Sequence, residues 1–374
     1  MFRFIHSSDL HLGKRFGNFA GDLPARLREA RHAVIARLAA HARENGVQTV
    51  LLAGDTFDTE TPAPDIRRQA LSEMGHHAPI RWVILPGNHD SLQATQLWST
   101  LKEEAPANVV LATEASMIDL SPDVVLLPAP CTTRRPGRDV TAWMDNAASG
   151  DGVLRIGLGH GAIRSFSEEA SVLDVIDPNR AQMAGLDYLA LGDWHGALEI
   201  DPRTRYSGAP EPDRFKHERP GEALLVTLEG RGALPQIKSL PTASFTWRML
   251  DLHLLGQQDP QDVLEGALPE LRERRKTLLR VMASGRLHLE QRAALMQAID
   301  AAVPDFAFLE LDEDQLVTEC VADDLDQIDA SGALREAADA LFAEAANESL
   351  SPDERDIARG ALARLYTYAQ QVTA

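Results

Sequence analysis

Short apolar runs alternating with helical patterns organise the first 240 residues of the chain. Phe2–Ser7 reads as an opening strand, and residues 47–53, 82–85, 124–127, 156–158 and 188–191 are further, nearly unbroken apolar runs. Runs this short, bounded by Gly and Pro, predict strands buried on both faces. After the first of them, Leu23, Leu27, Ala30, Val34 and Leu38 recur at helical spacing, and Gly46 supplies a C-terminal stop. Helical patterns also cover 65–77 and 168–184. The alternation predicts an α/β layout with sheets covered by helices.

Around Pro241 the pattern changes. Residues 245–255 and 277–283 predict strands with a helix over 260–276 between them. A further helix over 290–302 and a strand near 306–311 complete a small α+β module. From Ala330 the pattern is helical, broken near 349–352, with a last helix over 353–372. Ser351-Pro352-Asp353-Glu354 is a helix start with Ser at the cap, Pro in the first turn and acids beside the positive dipole end. The expected organisation is a catalytic domain over 1–240, a small domain over 241–325 and a C-terminal helical segment over 326–374.

Composition narrows this picture only a little. A chain of 374 residues is longer than one ordinary domain, and 44% hydrophobic with 25% charged residues is a soluble globular balance. No apolar stretch approaches the roughly 20 residues of a membrane helix. The opening residues lack the apolar run of a signal peptide. Cys131 and Cys320 are the two cysteines, far apart and outside any CxxC pairing, which excludes a disulfide framework or zinc knuckle. A cytoplasmic location is the expectation. The net charge is −19, which gives no help to a nucleic-acid partner. Residues 1–240 carry 25 basic and 31 acidic side chains and account for −6 of it; the remainder accounts for −13. The acidity of the C-terminal third is read as solubility.

Specific chemistry enters at the strand ends. Asp9-Leu10-His11 follows the first strand, and Gly54-Asp55-Thr56-Phe57-Asp58 the second. Later strands lead into Gly87-Asn88-His89-Asp90, Gly159-His160-Gly161 and Gly192-Asp193-Trp194-His195. Sites of open α/β sheets form outside the carboxyl ends of the strands, so the five motifs converge on one edge. Glycine lets the backbone turn sharply there. Carboxylate, imidazole and amide oxygen together favour manganese, magnesium or iron over an all-thiolate zinc site. Two metals about 3.5–4 Å apart need a bridging carboxylate and further ligands of their own. One such histidine alone is more often structural; five motifs in order at strand exits are not explained that way.

The series Asp-x-His, Gly-Asp-x-x-Asp, Gly-Asn-His-Asp, Gly-His and Gly-x-x-His resembles the calcineurin-like metallophosphoesterase superfamily. Within it, Phe4-Ile5-His6-Ser7-Ser8-Asp9-Leu10-His11-Leu12-Gly13 and Tyr206-Ser207-Gly208-Ala209-Pro210 resemble the SbcD-type DNA repair exonucleases. The resemblance spans residues 1 to about 230. It implies a two-sheet α/β/β/α metallophosphoesterase sandwich with a small α+β capping domain and C-terminal helices. By the same resemblance Asp9, His11 and His195 would hold the first metal and Asp55 would bridge. Asn88, His160 and Asp193 would complete the second. His89 would contact the scissile phosphate and protonate the leaving oxygen, with the Asp58 carboxylate orienting it. A phosphodiester needs a nucleophile made at neutral pH, neutralisation of its charge and a protonated leaving oxygen. Asp90 is assigned to hydrogen-bonding its own turn. Asp193 stands where most members carry histidine. An aspartate retains a ligand and alters metal preference; the alternative is a weakened or lost second position. Retention is favoured because every other ligand position is filled.

Substrate contacts are less specific. Lys14 and Arg15, next to the first motif, are the basic pair nearest the site, and Trp194 either stacks on a base or packs its loop. Arg214, Lys216 and His217, like Arg134, Arg135 and Arg138, fit a phosphate backbone or plain solubility equally. His76-His77 is read as capping or solvent-facing, His6 as filling its strand, and Ala361, Leu362, Leu365 and Tyr366 as a core face. The resemblance also implies docking of C-terminal helices on an SbcC-type, SMC-like ATPase; a homodimer is a further partner. The leading expectation is a manganese-dependent DNA exonuclease or endonuclease, with attack by a metal-bound hydroxide and His89 as general acid. The alternatives are a phosphodiesterase for a small nucleotide or other phosphate ester, or a non-catalytic subunit decayed at Asp193.

Overall fold

A computed structural model describes residues 1–163, 175–216, 220–255, 258–319 and 332–373, together with Leu325, Asp326 and Ile328. The chain divides into two compact units, Met1–Thr246 and Trp247–Ala374. The first opens with β1 (Phe2–Ser7), α1 (Leu23–Glu44), β2 (Thr49–Leu52), α2 (Pro64–His76), β3 (Arg81–Ile84), α3 (Thr95–Glu104) and β4 (Val109–Leu111). It continues with β5 (Ile118–Ser121), β6 (Val124–Ala129), β7 (Leu154–His160), α4 (Arg180–Met183) and β8 (Tyr188–Gly192). β9 (Leu198–Asp201), β10 (Thr204–Tyr206), β11 (Glu222–Leu228) and β12 (Gln236–Pro241) complete it.

These strands form two six-stranded sheets, ordered β12-β11-β1-β2-β3-β4 and β5-β6-β7-β8-β10-β9. The central strands of each run parallel, while β11, β12, β5 and β9 pair antiparallel at the margins. Strand alternation explains why the runs are apolar throughout. Ile5, Val50, Leu52, Trp82 and Ile84 face the core shared with α1, α2 and α3. Their neighbours Phe4, Leu51 and Val83 meet Leu126, Ile156, Leu158 and Tyr188 of the other sheet. The outer face of that sheet, with Leu127, Leu189 and Leu191, is covered by Met144, Ala181 and Ala184. The unit is therefore the α/β/β/α sandwich expected from the sequence, with sheets flanked by helices.

His6 lies fully buried between the sheets. Its Nε2 donates to the Leu191 carbonyl at 3.1 Å, which leaves Nδ1 to accept the Tyr188 hydroxyl at 3.0 Å. Burial pushes its pKa down to about 3, so the ring is neutral where it ties β1 to β8.

The second unit contains β13 (Thr246–Leu254), which starts at the junction, α5 (Pro260–Ala267), α6 (Leu271–Arg274), β14 (Thr277–His288) and α7 (Leu289–Ala302). β15 (Phe308–Glu319), α8 (Ala333–Ala346) and α9 (Pro352–Thr373) follow. Its sheet has the order β13-β14-β15, with β14 and β15 parallel. The C-terminal helices belong to this same unit: Leu362 and Tyr366 are buried in a cluster with Leu289 and Ala338. Ser351 and Glu354 form the reciprocal cap at the start of α9. Among the described residues no helix is long and apolar enough to cross a membrane.

Two expected helices are shorter than their patterns. The helix over 260–276 breaks at Leu268, which is extended because Pro269 follows it and removes a backbone donor. Of the helix over 168–184, residues 168–174 lie outside the described residues. From 175 onward it is helical only at Arg180–Met183, because Asp177 turns the chain by accepting the Asn179 amide at 2.9 Å. Cys320 also lies outside the described residues.

The neutral His6 carries a pH signature. A folded pKa of about 3 against an unfolded value near 6.5 means that the unfolded chain binds the extra proton. This stability is present above pH 6.5 and is lost as pH falls, at about 1.4 kcal/mol per unit. Urea unfolding of the metal-free chain should show about 2 kcal/mol of such loss between pH 6.5 and 5. The loss should be absent from the slope of His6→Gln.

Candidate metal centre

Chain reversal at the strand ends places the motif side chains. Asp9, His11, Asp55 and Asp193 all adopt positive φ, at 55°, 43°, 52° and 100°. L-residues avoid this region, so these turns carry strain that the surroundings must hold. Backbone bonds between the first two loops do so: Asp9 N to Gly54 O at 3.1 Å, His11 N to Asp55 O at 2.9 Å and Leu12 N to Thr56 O at 2.9 Å. Gly54, itself at φ 89°, packs so closely behind His160 that a β-carbon there would overlap its ring. A β-carbon on Gly192 would overlap the Ala53 carbonyl oxygen. Glycine at these two positions is thus required by contact with the loops that carry the candidate donors.

Three imidazoles are tied through Nδ1. That of His160 donates to Ala53 O at 2.8 Å, that of His89 to Asp58 O at 3.0 Å and that of His195 to Asp213 Oδ1 at 3.1 Å. His11 Nδ1 lies 3.3 Å from Asp58 Oδ1. Nδ1 donation leaves Nε2 of His89, His160 and His195 facing the site, and His195 Nε2 lies 3.2 Å from His11 Nε2. The Asp58 carboxylate consequently pairs with His11, not with His89 as expected; it is the Asp58 main-chain carbonyl that orients His89. The reach of the 54–58 loop brings the Asp58 carbonyl, rather than its side chain, to the His89 ring.

The carboxylates complete the arrangement. Asp55 Oδ2 lies 3.7 Å from His11 Nε2 and 3.5 Å from His160 Nε2, while its Oδ1 accepts the His89 amide at 2.8 Å. Asp9 Oδ1 is 3.9 Å from both His11 Nε2 and His195 Nε2. Asp193 Oδ1 accepts Asn88 Nδ2 at 3.1 Å and lies 3.8 Å from His160 Nε2. Asn88 Oδ1 and His160 Nε2 are buried and have no hydrogen-bond partner. Buried acceptors of this kind call for a cation. Asp9, His11 and His195 offer ligand atoms within 4.8 Å of one another, and so do Asp9, Asp55 and His160. The donor set fits divalent metal ions.

Electrostatics follows from burial and pairing. Burial lowers the pKa of His11. Burial also acts to lower that of His160, but Asp55 overrides it and raises the value well above the ordinary one. Burial raises Asp193. Asp90 is pushed up to about 7 by burial and the Asp55 charge; it accepts the Gly87 and Phe57 amides at 2.7 and 3.0 Å, the turn-holding role read from the sequence.

Three residues outside the sequence-derived set support the centre. Asp213 holds His195, buried Arg31 donates to the Leu10 carbonyl at 2.6 Å, and Ser8 Oγ donates to Asp9 Oδ2 at 2.5 Å. Ser8 also contacts Ser207 Oγ at 2.9 Å, and Tyr206 OH donates to Gly161 O at 2.8 Å. The Tyr206-Ser207 pair therefore braces the ligand loops from behind. Only the adjacency of Ser8 to Asp9 was visible in sequence; Asp213 and Arg31 arrive from an unmotifed loop and a helix.

Lys14 stands beside the centre with Nζ 2.9 Å from Asp213 Oδ2. Arg15 is exposed. Trp194 is half-buried against the outer core of the second sheet, with Lys216 Nζ 5.9 Å from its ring centroid. Arg214 bonds Asp213 at 2.9 Å, Arg134, Arg135 and Arg138 are exposed, and His217 lies outside the described residues. His77 bonds Glu73 at 3.0 Å, and His76 is exposed.

Residues 2–227 match the family described as calcineurin-like phosphoesterase, and the chain belongs to that family. Its donor clusters and its family together support metal-dependent hydrolysis of phosphate esters. A comparison with curated proteins finds no match. Among solved structures it is similar to TT1561 of Thermus thermophilus, with 9% identity and a TM-score of 0.39, over 64% of this chain and 99% of that one. It is also similar to GAP50, the anchor in the inner membrane complex of Plasmodium, with 10% identity and a TM-score of 0.39, over 64% and 84% of the two chains.

Gly54→Ala should lower Mn2+ affinity by about tenfold or more, because it displaces a ligand ring and its support. Calorimetric titration checks this, with Gly230→Ala as the control, since no atom lies near a β-carbon at that position. Equal affinities in the two variants would contradict the packing account.

Proposed function

We propose that the chain is a two-metal phosphodiesterase, with Mn2+ foremost and Mg2+ or iron able to serve. The observation that carries this reading is the position of Asp55 Oδ2, within 3.7 Å of His11 and 3.5 Å of His160, which belong to different donor clusters. A bridging carboxylate occupies such a position. His195 shares the first cluster with Asp9 and His11, Asp193 adds an oxygen donor 3.8 Å from His160, and Asn88, bonded to Asp193, has a buried, unpartnered Oδ1. Divalent cations bound there supply Lewis acidity and activate water at neutral pH. His89, oriented through its Nδ1 by the Asp58 carbonyl, supplies the proton to the leaving oxygen from Nε2.

DNA is the proposed substrate, in the manner of SbcD-type nucleases. Support comes from the resemblance of the 4–13 and 206–210 motifs. A cytoplasmic enzyme working with an SMC-like ATPase fits the same resemblance. Leu362 and Tyr366 of α9 are buried in the second unit, so docking there would use the exposed Ile357 and Tyr368, three helical turns apart. A second reading, hydrolysis of a small phosphodiester, is favoured by the commitment of Lys14 to Asp213 and by the acidic balance of residues 1–240.

Mn2+-supported release of nucleotides from linear duplex DNA tests the first reading. Chelation should abolish it, and His89→Ala should lower it by about 10²–10⁴-fold. Turnover of a bis-aryl phosphodiester without any DNA cleavage would favour the second. Asp193→His replaces an oxygen donor by nitrogen and should shift the preferred metal from Mn2+ and Mg2+ towards Zn2+ or iron, read as the ratio of rates in each metal.

A further inference from the structure

Asp213 lies outside the five strand-end motifs, yet its buried carboxylate gathers four cationic or imidazole partners. His195 Nδ1 and Arg214 Nε approach Oδ1 at 3.1 and 2.9 Å; Lys14 Nζ and Arg31 Nη2 approach Oδ2 at 2.9 and 3.6 Å. Arg31, fully buried, also reaches the carbonyls of Leu10 and Glu211 at 2.6 and 3.1 Å. One carboxylate thus connects the loop after β1, helix α1 and the loop after β8.

We propose that Asp213 is a positioning residue that fixes His195 as its Nδ1–H tautomer and thereby sets the affinity of the metal position formed by Asp9, His11 and His195. The inference rests on the metal-centre reading above. A neutral imidazole has two tautomers, and only the one protonated on Nδ1 offers a lone pair at Nε2. In the other, a proton would stand between His195 and His11, whose Nε2 atoms are 3.2 Å apart, where a cation has to fit. A carboxylate accepting from Nδ1 selects the useful tautomer, restrains the ring and increases the basicity of Nε2. Arg214, Lys14 and Arg31 surround that carboxylate, the pairing a buried anion requires. Lys14, expected from the sequence to meet substrate, acts here through Asp213.

Ring nitrogen chemical shifts in ¹⁵N-correlated spectra of the metal-free full chain read the tautomer directly. His195 should carry its proton on Nδ1 in the wild type and shift towards a tautomer mixture in Asp213→Asn. Mn2+ titration should show about a 10–100-fold loss of affinity at one position in Asp213→Asn, with partial recovery in Asp213→Glu. Lys14→Met leaves the His195 contact in place and should keep the tautomer while losing less affinity. An Nε2–H His195 in the wild type overturns the inference whether or not the variants fold. So does unchanged Mn2+ affinity in a folded Asp213→Asn. A wild-type chain that binds no Mn2+ would overturn the metal-centre reading too, whereas Mn2+ binding with an Nε2–H His195 overturns this inference alone.

Discussion

Three carboxylates, Asp9, Asp55 and Asp193, and the Nε2 atoms of His11, His160 and His195 crowd one largely buried edge of the sandwich. Like-charged carboxylates repel strongly where water is excluded. The surrounding structure is arranged to hold them there. Paired loops lock the left-handed turns, glycines allow the loops to touch, and the His89, His160 and His195 rings are tied from behind through Nδ1. A divalent cation held there would relieve the repulsion, and its binding free energy would add to the stability of this edge.

The sandwich matters to this centre through strand direction. Parallel β1, β2 and β3 in one sheet and β7 and β8 in the other deliver Asp9, Asp55, Asn88, His160 and Asp193 from strand ends. His6 ties the two sheets just before the first ligand. Behind the ligands, Tyr206, Ser207 and Asp213 brace the rims of both sheets from a single stretch of chain.

The residues nearest the metal positions were legible in the sequence because strand ends announce themselves: an apolar run, a glycine, then a ligand. β1 matched its pattern to the residue, and β2, β3 and β8 matched within one or two positions. What could not be read depends on long-range contact. Asp213 and Arg31 carry no local motif, and whether Asp58 meets His11 or His89 is settled by loop reach rather than by spacing. β4, β5, β9, β10 and β12 are short or partly polar strands whose pairing comes from their neighbours. β11 is equally apolar, but it takes its place through pairing with β1, more than 200 residues away in sequence.

The alternation of Phe4 with Ile5, and of Leu51 with Val50 and Leu52, has a meaning beyond packing. Both faces of these strands are apolar, so hydrophobicity alone is a poor judge of register: a chain slipped by one residue would still bury oil on each side. The ligands are less forgiving, because the same slip would turn Asp9 and Asp55 away from their partners. The donor residues thus add a constraint on β-strand alignment that bulk burial supplies only weakly.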